Sequence, residues 1–219
     1  MTDKQSKVLI VDDHPLFRER LVQLVENEPD LSVCGEAETA REAIELIRTT
    51  LPQLAIVDIT LRESSGLELV KSIKALSLGV PVLVLSMHDE RVYAERSLRA
   101  GAAGYITKDQ DATQVVSAIR RVLSGAIYLS ERMTASVLRN LTTSGSKSSP
   151  RALDRLTDRE LQVLDLIGRG QTTRRIVECL WLGIASRGYL PRAHIKEKLD
   201  LQNGTELQLF AIRCLAERE

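Results

Sequence analysis

The 219-residue sequence has few cysteines, few aromatics, no long apolar run and no net charge. Its three cysteines, Cys34, Cys179 and Cys214, are odd in number and lack metal-ligand spacing. That excludes a disulfide scaffold and a cysteine zinc site, and suits a reducing cytoplasm. Aromatics are 3% of the chain, too few for a platform that stacks single-stranded nucleic acid. No apolar stretch approaches the roughly 20 residues needed to cross a bilayer, so no membrane contact is expected. The polar start, Met1–Lys7, shows no signal-peptide pattern.

What is present is a globular composition, 43% hydrophobic and 27% charged. The charge is unevenly spread: residues 1–124 carry net −4, residues 125–150 net +2 and residues 151–219 net +2. An acidic first half and a mildly basic tail point to two parts with different partners.

In the first part, short apolar runs alternate with helical spacing. Runs at 8–11, 32–36, 54–57, 80–85 and 104–107 read as strands. Between and after them, Phe17/Leu21/Leu24/Val25, Ala40/Ala43/Ile44/Ile47, Leu67/Val70/Ile73, residues 90–100 and residues 111–123 read as helices. Five such units imply a parallel sheet, doubly wound and covered on both faces. A linker follows at 125–154. It is expected to carry a helix at 129–141, then the Gly/Ser-rich stretch 142–150, flexible by composition. From residue 155 the pattern is helical. Thr157–Glu160 is a capping-box sequence, Thr172 or Thr173 can cap a second helix, and Asn203–Glu206 a last one.

Open parallel sheets bind ligands beyond the carboxyl ends of their strands. Here those ends carry Asp12 and Asp13, Asp58, Ser86 and Lys108. Strands one and three are neighbours in such a sheet, so three carboxylates converge and need a cation. Hard oxygen donors suit Mg²⁺. An aspartate beside it can attack phosphorus, while Ser86 and Lys108 contact the transferred group. Taken singly, each residue has a plainer role as a helix cap, turn former or solvated side chain. The joint arrangement carries the chemistry.

The segments Val8–His14 (VLIVDDH), Ala55–Ile59 (AIVDI), Leu85–Ser86 and Gly104–Lys108 (GYITK) resemble the receiver domain of two-component response regulators over residues 7 to about 124. The resemblance implies a flavodoxin-like fold and phosphoryl transfer from a histidine kinase to Asp58. It implies Mg²⁺ held by Asp13, Asp58 and the Thr60 carbonyl, with Asp12 helping through water, and Ser86 and Lys108 at the phosphoryl group. Ser86 and Tyr105 would form the switch, read out through homodimerisation. Thr60 and His88 match positions that tune hydrolysis, although His88 by itself reads as a solvent-facing loop residue. Arg62–Gly66 departs from relatives that carry a proline before the glycine, which would leave that loop more mobile.

The tail, Leu156–Leu164 (LTDRELQVL) with Ile167–Ile176 (IGRGQTTRRI), resembles the LuxR-type helix-turn-helix domain of the NarL/FixJ family, and Ile195–Leu199 and Thr205–Leu207 continue the match. The overall expectation is an α/β, doubly wound five-stranded parallel receiver at 1–124 plus a small all-α helix-turn-helix domain at 155–219. Candidate contacts to double-stranded DNA are Thr173, Arg174, Arg175, Arg187, Arg192, His194, Lys196 and Lys198. Residues 183–194 depart from the family text. Gly188 costs a helix about 1 kcal/mol and Pro191 about 3 kcal/mol, where the recognition helix should begin. A one-nucleotide frame displacement across about Ser186 to Arg192 would account for the text. The recognition helix then starts late, near Arg192, or the segment is a loop, and sequence-specific DNA binding is expected to be weak.

Three functions follow. The first is a transcription-controlling response regulator, not an enzyme beyond self-phosphorylation and self-dephosphorylation at Asp58. The second is a protein-interaction receiver with an inert tail. The third is a Mg²⁺-dependent phosphohydrolase, which would want a capping domain over its site.

Overall fold

A computed structural model describes residues 5–61, 64–135, 152–180 and 192–216. The chain divides into two units, Met1–Thr142 and Thr143–Glu219. The first contains β1 Ser6–Val11, α1 Pro15–Glu26, β2 Leu31–Ala37, α2 Ala40–Thr50, β3 Leu54–Val57, α3 Gly66–Ala75, β4 Val82–Ser86, α4 Glu90–Ala100, β5 Gly104–Thr107 and α5 Ala112–Leu123. The strands form one parallel sheet in the order β2-β1-β3-β4-β5.

The central strands are buried throughout, as their unbroken apolar text requires. On one face Val8, Ile10, Leu54, Ile56, Leu83, Leu85 and Ile106 pack with Leu21 and Val25 of α1 and Val115, Ile119 and Val122 of α5. The apolar spacing of α1 and α5 exists to meet that face. Helix starts follow local chemistry. Thr39, Ser65, Asp89 and Asp111 each accept a backbone N–H of the following turn, and Pro15 opens α1. The fourth strand begins at Val82 rather than Val80, because Pro81 has no N–H for the ladder; its carbonyl accepts Ala55 N at 3.0 Å.

Register sets the top of the sheet. Val11 pairs with Val57, Val57 with Val84, and Ser86 with Thr107. Asp58 N donates to Val11 O at 2.9 Å and Lys108 N to Ser86 O at 2.8 Å. Residues 12, 58, 86 and 108 therefore leave the sheet along one edge.

The stretch read as linker from Gly125 does not leave the fold at once. Tyr105 N donates to Tyr128 O and Tyr128 N to Ala103 O, both at 3.0 Å, so Tyr128 completes the open side of β5. A side chain at Gly104 would meet the Tyr128 carbonyl at 2.9 Å, which is why glycine opens this strand. Residues 131–135 are helical and Met133 is buried; the rest of the expected 129–141 helix, and 142–150, lie outside the described residues. Arg62 and Glu63 of the expected mobile loop do as well.

The second unit has a 3₁₀ turn, Ala152–Arg155, then α6 Asp158–Gly168, α7 Thr173–Cys179, α8 Arg192–Leu199 and α9 Gly204–Ala216. Leu161, Leu164, Ile167, Ile176, Ile195, Leu207 and Ala211 are buried together with Leu156. The capping box forms: Thr157 Oγ1 accepts Glu160 N and Glu160 Oε2 accepts Thr157 N. Thr172, not Thr173, caps α7 through Arg175 N, and Asn203 Oδ1 accepts Glu206 N before α9.

Gly66 shows how tightly the loop after β3 is built. Its N–H donates to Ile59 O at 2.7 Å, and a Cβ there would overlap the Asp58 carbonyl oxygen. Gly66→Ala is expected to lower unfolding stability by about 1–3 kcal/mol, the usual cost of overpacking. Urea denaturation checks this, and an unchanged midpoint would show that α3 can move aside.

Candidate functional site

Asp12 and Asp13 end β1, because two aspartates followed by His14-Pro15 break a ladder and open a helix. Asp58 ends β3, Ser86 closes β4 and Lys108 follows β5. All three aspartates are buried, with Asp12 1% and Asp58 4% exposed. Lys108 Nζ lies 2.6 Å from Asp12 Oδ2 and 2.9 Å from Asp58 Oδ2, and its ammonium stands over the Phe17 ring, 4.2 Å from the centroid. On the other side His14 Nδ1 lies 2.8 Å from Asp13 Oδ1, 3.4 Å from Asp12 Oδ1 and 3.9 Å from Asp58 Oδ2.

These contacts set the charges. Burial raises the Asp12 carboxyl, but hydrogen bonds from His14 and the charge of Lys108 outweigh it and hold the group below its ordinary pKa. Burial dominates at Asp58 and pushes its pKa up to about 6; the Asp12 charge adds to the rise and Lys108 opposes it. His14 is carried up to about 10 by the carboxylates of Asp12 and then Asp13 beside its ring. Burial disfavours the Lys108 ammonium, yet the charges of Asp58 and Asp12 leave its pKa raised.

The donor set fits a divalent cation. Ligand atoms of Asp12, Asp13, His14 and Asp58 all lie within 4.8 Å of one another. Asp13 Oδ1 is shut off from water and accepts no hydrogen bond of good geometry, although His14 Nδ1 is near. Such an oxygen is available to a metal.

Beside the carboxylates a polar chain runs across the sheet end. Ser86 is fully buried and its Oγ accepts His88 N at 3.2 Å. Tyr105 is buried and its hydroxyl donates to His88 O at 2.6 Å; burial, then the nearby Tyr93, drives its pKa well above the ordinary value. His88 is not solvent-facing as expected. Its Nε2 is 3.1 Å from Thr60 Oγ1 and its ring stacks on Tyr93 with centroids 4.6 Å apart. Thr60 lies 28 residues away in the chain, so sequence could not reveal this contact. Sequence reasoning also passed over His14 and Phe17 as site residues. The only signal for His14 was its place beside the aspartate pair.

In the second unit, Thr173, Arg174 and Arg175 lie exposed at the start of α7. Helix α8 is helical from Arg192, the first described residue after 180, and carries His194, Lys196 and Lys198; where the helix begins lies outside the described residues. His194 is exposed and Arg192 and Lys196 half-buried, and Lys198 Nζ pairs with Glu160 Oε2 at 2.7 Å. Arg187, and residues 181–191 with Gly188 and Pro191, lie outside the described residues.

A family model described as the response regulator receiver domain matches residues 8–120. The response regulator UvrY of Escherichia coli K12 is 32% identical, covering 96% of this chain and 96% of its own length. The transcriptional regulatory protein MctR of Rhizobium johnstonii is 32% identical over 97% of this chain and 96% of its own. A crystal structure of a LuxR-family two-component response regulator from Aurantimonas, 32% identical, gives a TM-score of 0.59 over 64% of this chain and 99% of its own. RcsB from Salmonella typhimurium, 21% identical, gives 0.64 over 96% of this chain and 98% of its own, a likeness of fold. Among the described residues no helix is long and apolar enough to cross a membrane.

Removing Lys108 leaves Asp12 and Asp58 buried without their shared cation. Lys108→Met is expected to cost about 3 kcal/mol in chelator-treated protein. Burial already holds the Asp58 pKa near 6, above its unfolded value, and loss of the opposing ammonium raises it further, so the variant goes on losing stability as pH rises above 6 and its deficit is larger at pH 8 than at pH 5. Urea melts at the two pH values measure it; a deficit independent of pH would overturn the charge argument.

Proposed function

The chain belongs to the two-component response regulators of the NarL/FixJ type, and from that premise we propose that Asp58 accepts a phosphoryl group from a phosphohistidine of a partner kinase. The convergence of Asp12, Asp13, Asp58 and Lys108 at the sheet edge carries this reading. An Asp58 carboxylate oxygen forms the new P–O bond while the P–N bond to the kinase histidine breaks. Asp13, Asp58 and the Thr60 carbonyl would hold Mg²⁺, with Asp12 acting through water; bound there, it would offset charge on the phosphoryl oxygens. Lys108 turns from the carboxylates to a phosphoryl oxygen, and Ser86 Oγ donates to another in place of its bond with His88 N.

Movement of Ser86 releases the His88 segment to which the Tyr105 hydroxyl is bonded. The face of α4 and β5 is then the element with two arrangements. Two phosphorylated copies pair, bringing two tail units to a two-fold DNA site to control transcription. Thr173, Arg174 and Arg175 of α7, and Arg192, His194, Lys196 and Lys198 of α8, would face the DNA; Arg187 is a further candidate by sequence. The residue ranges 1–124 for the receiver and 155–219 for the reader belong to this reading. Gly188 and Pro191, which the sequence places where the recognition helix should begin, favour a second one. In it the receiver signals by protein contact and the tail does not select a DNA sequence.

Acetyl phosphate with Mg²⁺ is expected to label the protein to one phosphoryl group per chain, lost in Asp58→Asn. Repeated turnover of small phosphoesters would instead mark an enzyme and overturn the proposal. Footprinting of the phosphorylated protein on genomic fragments separates the two readings. A protected two-fold site at physiological salt supports DNA control, and salt-sensitive binding without sequence preference supports the second reading.

A further inference from the structure

We propose that His14 is itself a ligand of the strand-end cation site and makes that site select a transition ion such as Mn²⁺ over Mg²⁺. The inference rests on reading the carboxylates as a cation site and adds a nitrogen donor to it. His14 Nδ1 stands 2.8, 3.4 and 3.9 Å from oxygens of Asp13, Asp12 and Asp58. Adjacent donors in an octahedron with bonds of about 2.1 Å are about 3 Å apart. These separations are therefore those of atoms sharing one coordination sphere.

Two further observations aim the donors at a common point. Asp13, 6% exposed, turns a buried oxygen without a good hydrogen bond toward the ring. His14 occupies the N-cap position of α1, yet its side chain makes no capping bond. Its backbone N–H is fastened instead to Asp12 Oδ1 at 2.9 Å, which holds the ring base over the carboxylates. Lys108 engages the other oxygen of Asp12, so it does not compete for the face that His14 sees. The ring is 62% exposed, which leaves a way in for an ion and its waters.

Mg²⁺ prefers an all-oxygen shell, whereas imidazole strengthens binding of first-row transition ions in the Irving–Williams order. Coordination uses the Nδ1 lone pair, so any proton on Nδ1 leaves to solvent as the ion enters.

The full-length protein is titrated with Mn²⁺, counting free ion by electron paramagnetic resonance, and then competed with Mg²⁺. The preference for Mn²⁺ over Mg²⁺ is expected to fall by about tenfold in both His14→Ala and His14→Asn. Pulsed resonance of bound Mn²⁺ should show a directly coupled nitrogen in the wild type and none in His14→Ala. An unchanged preference, or no coupled nitrogen in the wild type, overturns the proposal while leaving the carboxylate site standing. If Asp13→Ala binds both ions as well as the wild type does, the carboxylate site itself is refuted, and the role of His14 with it.

Discussion

The Lys108 ammonium between two buried carboxylates is the interaction on which this receiver depends. Neither Asp12 nor Asp58 has enough water to remain charged unaided, and two such groups side by side repel. The ammonium reaches both within 3 Å and rests on the Phe17 ring, which favours a cation at its face. The same charge is then in place for a phosphoryl group, so one residue serves first the resting site and then the proposed product.

That contact exists only because three strands end level. Asp12, Asp58 and Lys108 come from β1, β3 and β5, far apart in the chain. The pairings Val11–Val57, Val57–Val84 and Ser86–Thr107 bring their ends to one edge. A one-residue slip in any of them would turn a site residue toward the opposite face. Gly66 protects the register from outside, since only a bare Cα allows α3 to start against the Asp58 carbonyl. On the far side, Tyr105 joins the site to the periphery twice, through its hydroxyl to His88 and through its N–H to Tyr128.

Much of this was legible before any coordinates. Residues 54–57, 90–100 and 104–107 match β3, α4 and β5 because buried strands and amphipathic helices have distinct apolar periods. Thr157–Glu160 announced its reciprocal cap because that chemistry is local. Non-local pairings were not legible. His88, alone in a loop, reads as solvated, but Thr60 and Tyr93 enclose it. Lys198 reads as a candidate DNA contact, and its ion pair with Glu160 joins groups too far apart in the chain for the sequence to show. Tyr128 reads as linker, but β5 had an open edge to fill.

By itself the sequence determined the element types, the doubly wound class and the residues that end each strand, because apolar period and turn chemistry act over a few neighbours. Only the tertiary structure decided which oxygen of each aspartate Lys108 takes and which faces His14, and that Tyr105 is turned inward. Those outcomes depend on strand register and on groups tens of residues apart meeting where the aspartates are buried, so that each of their charges must be answered by another.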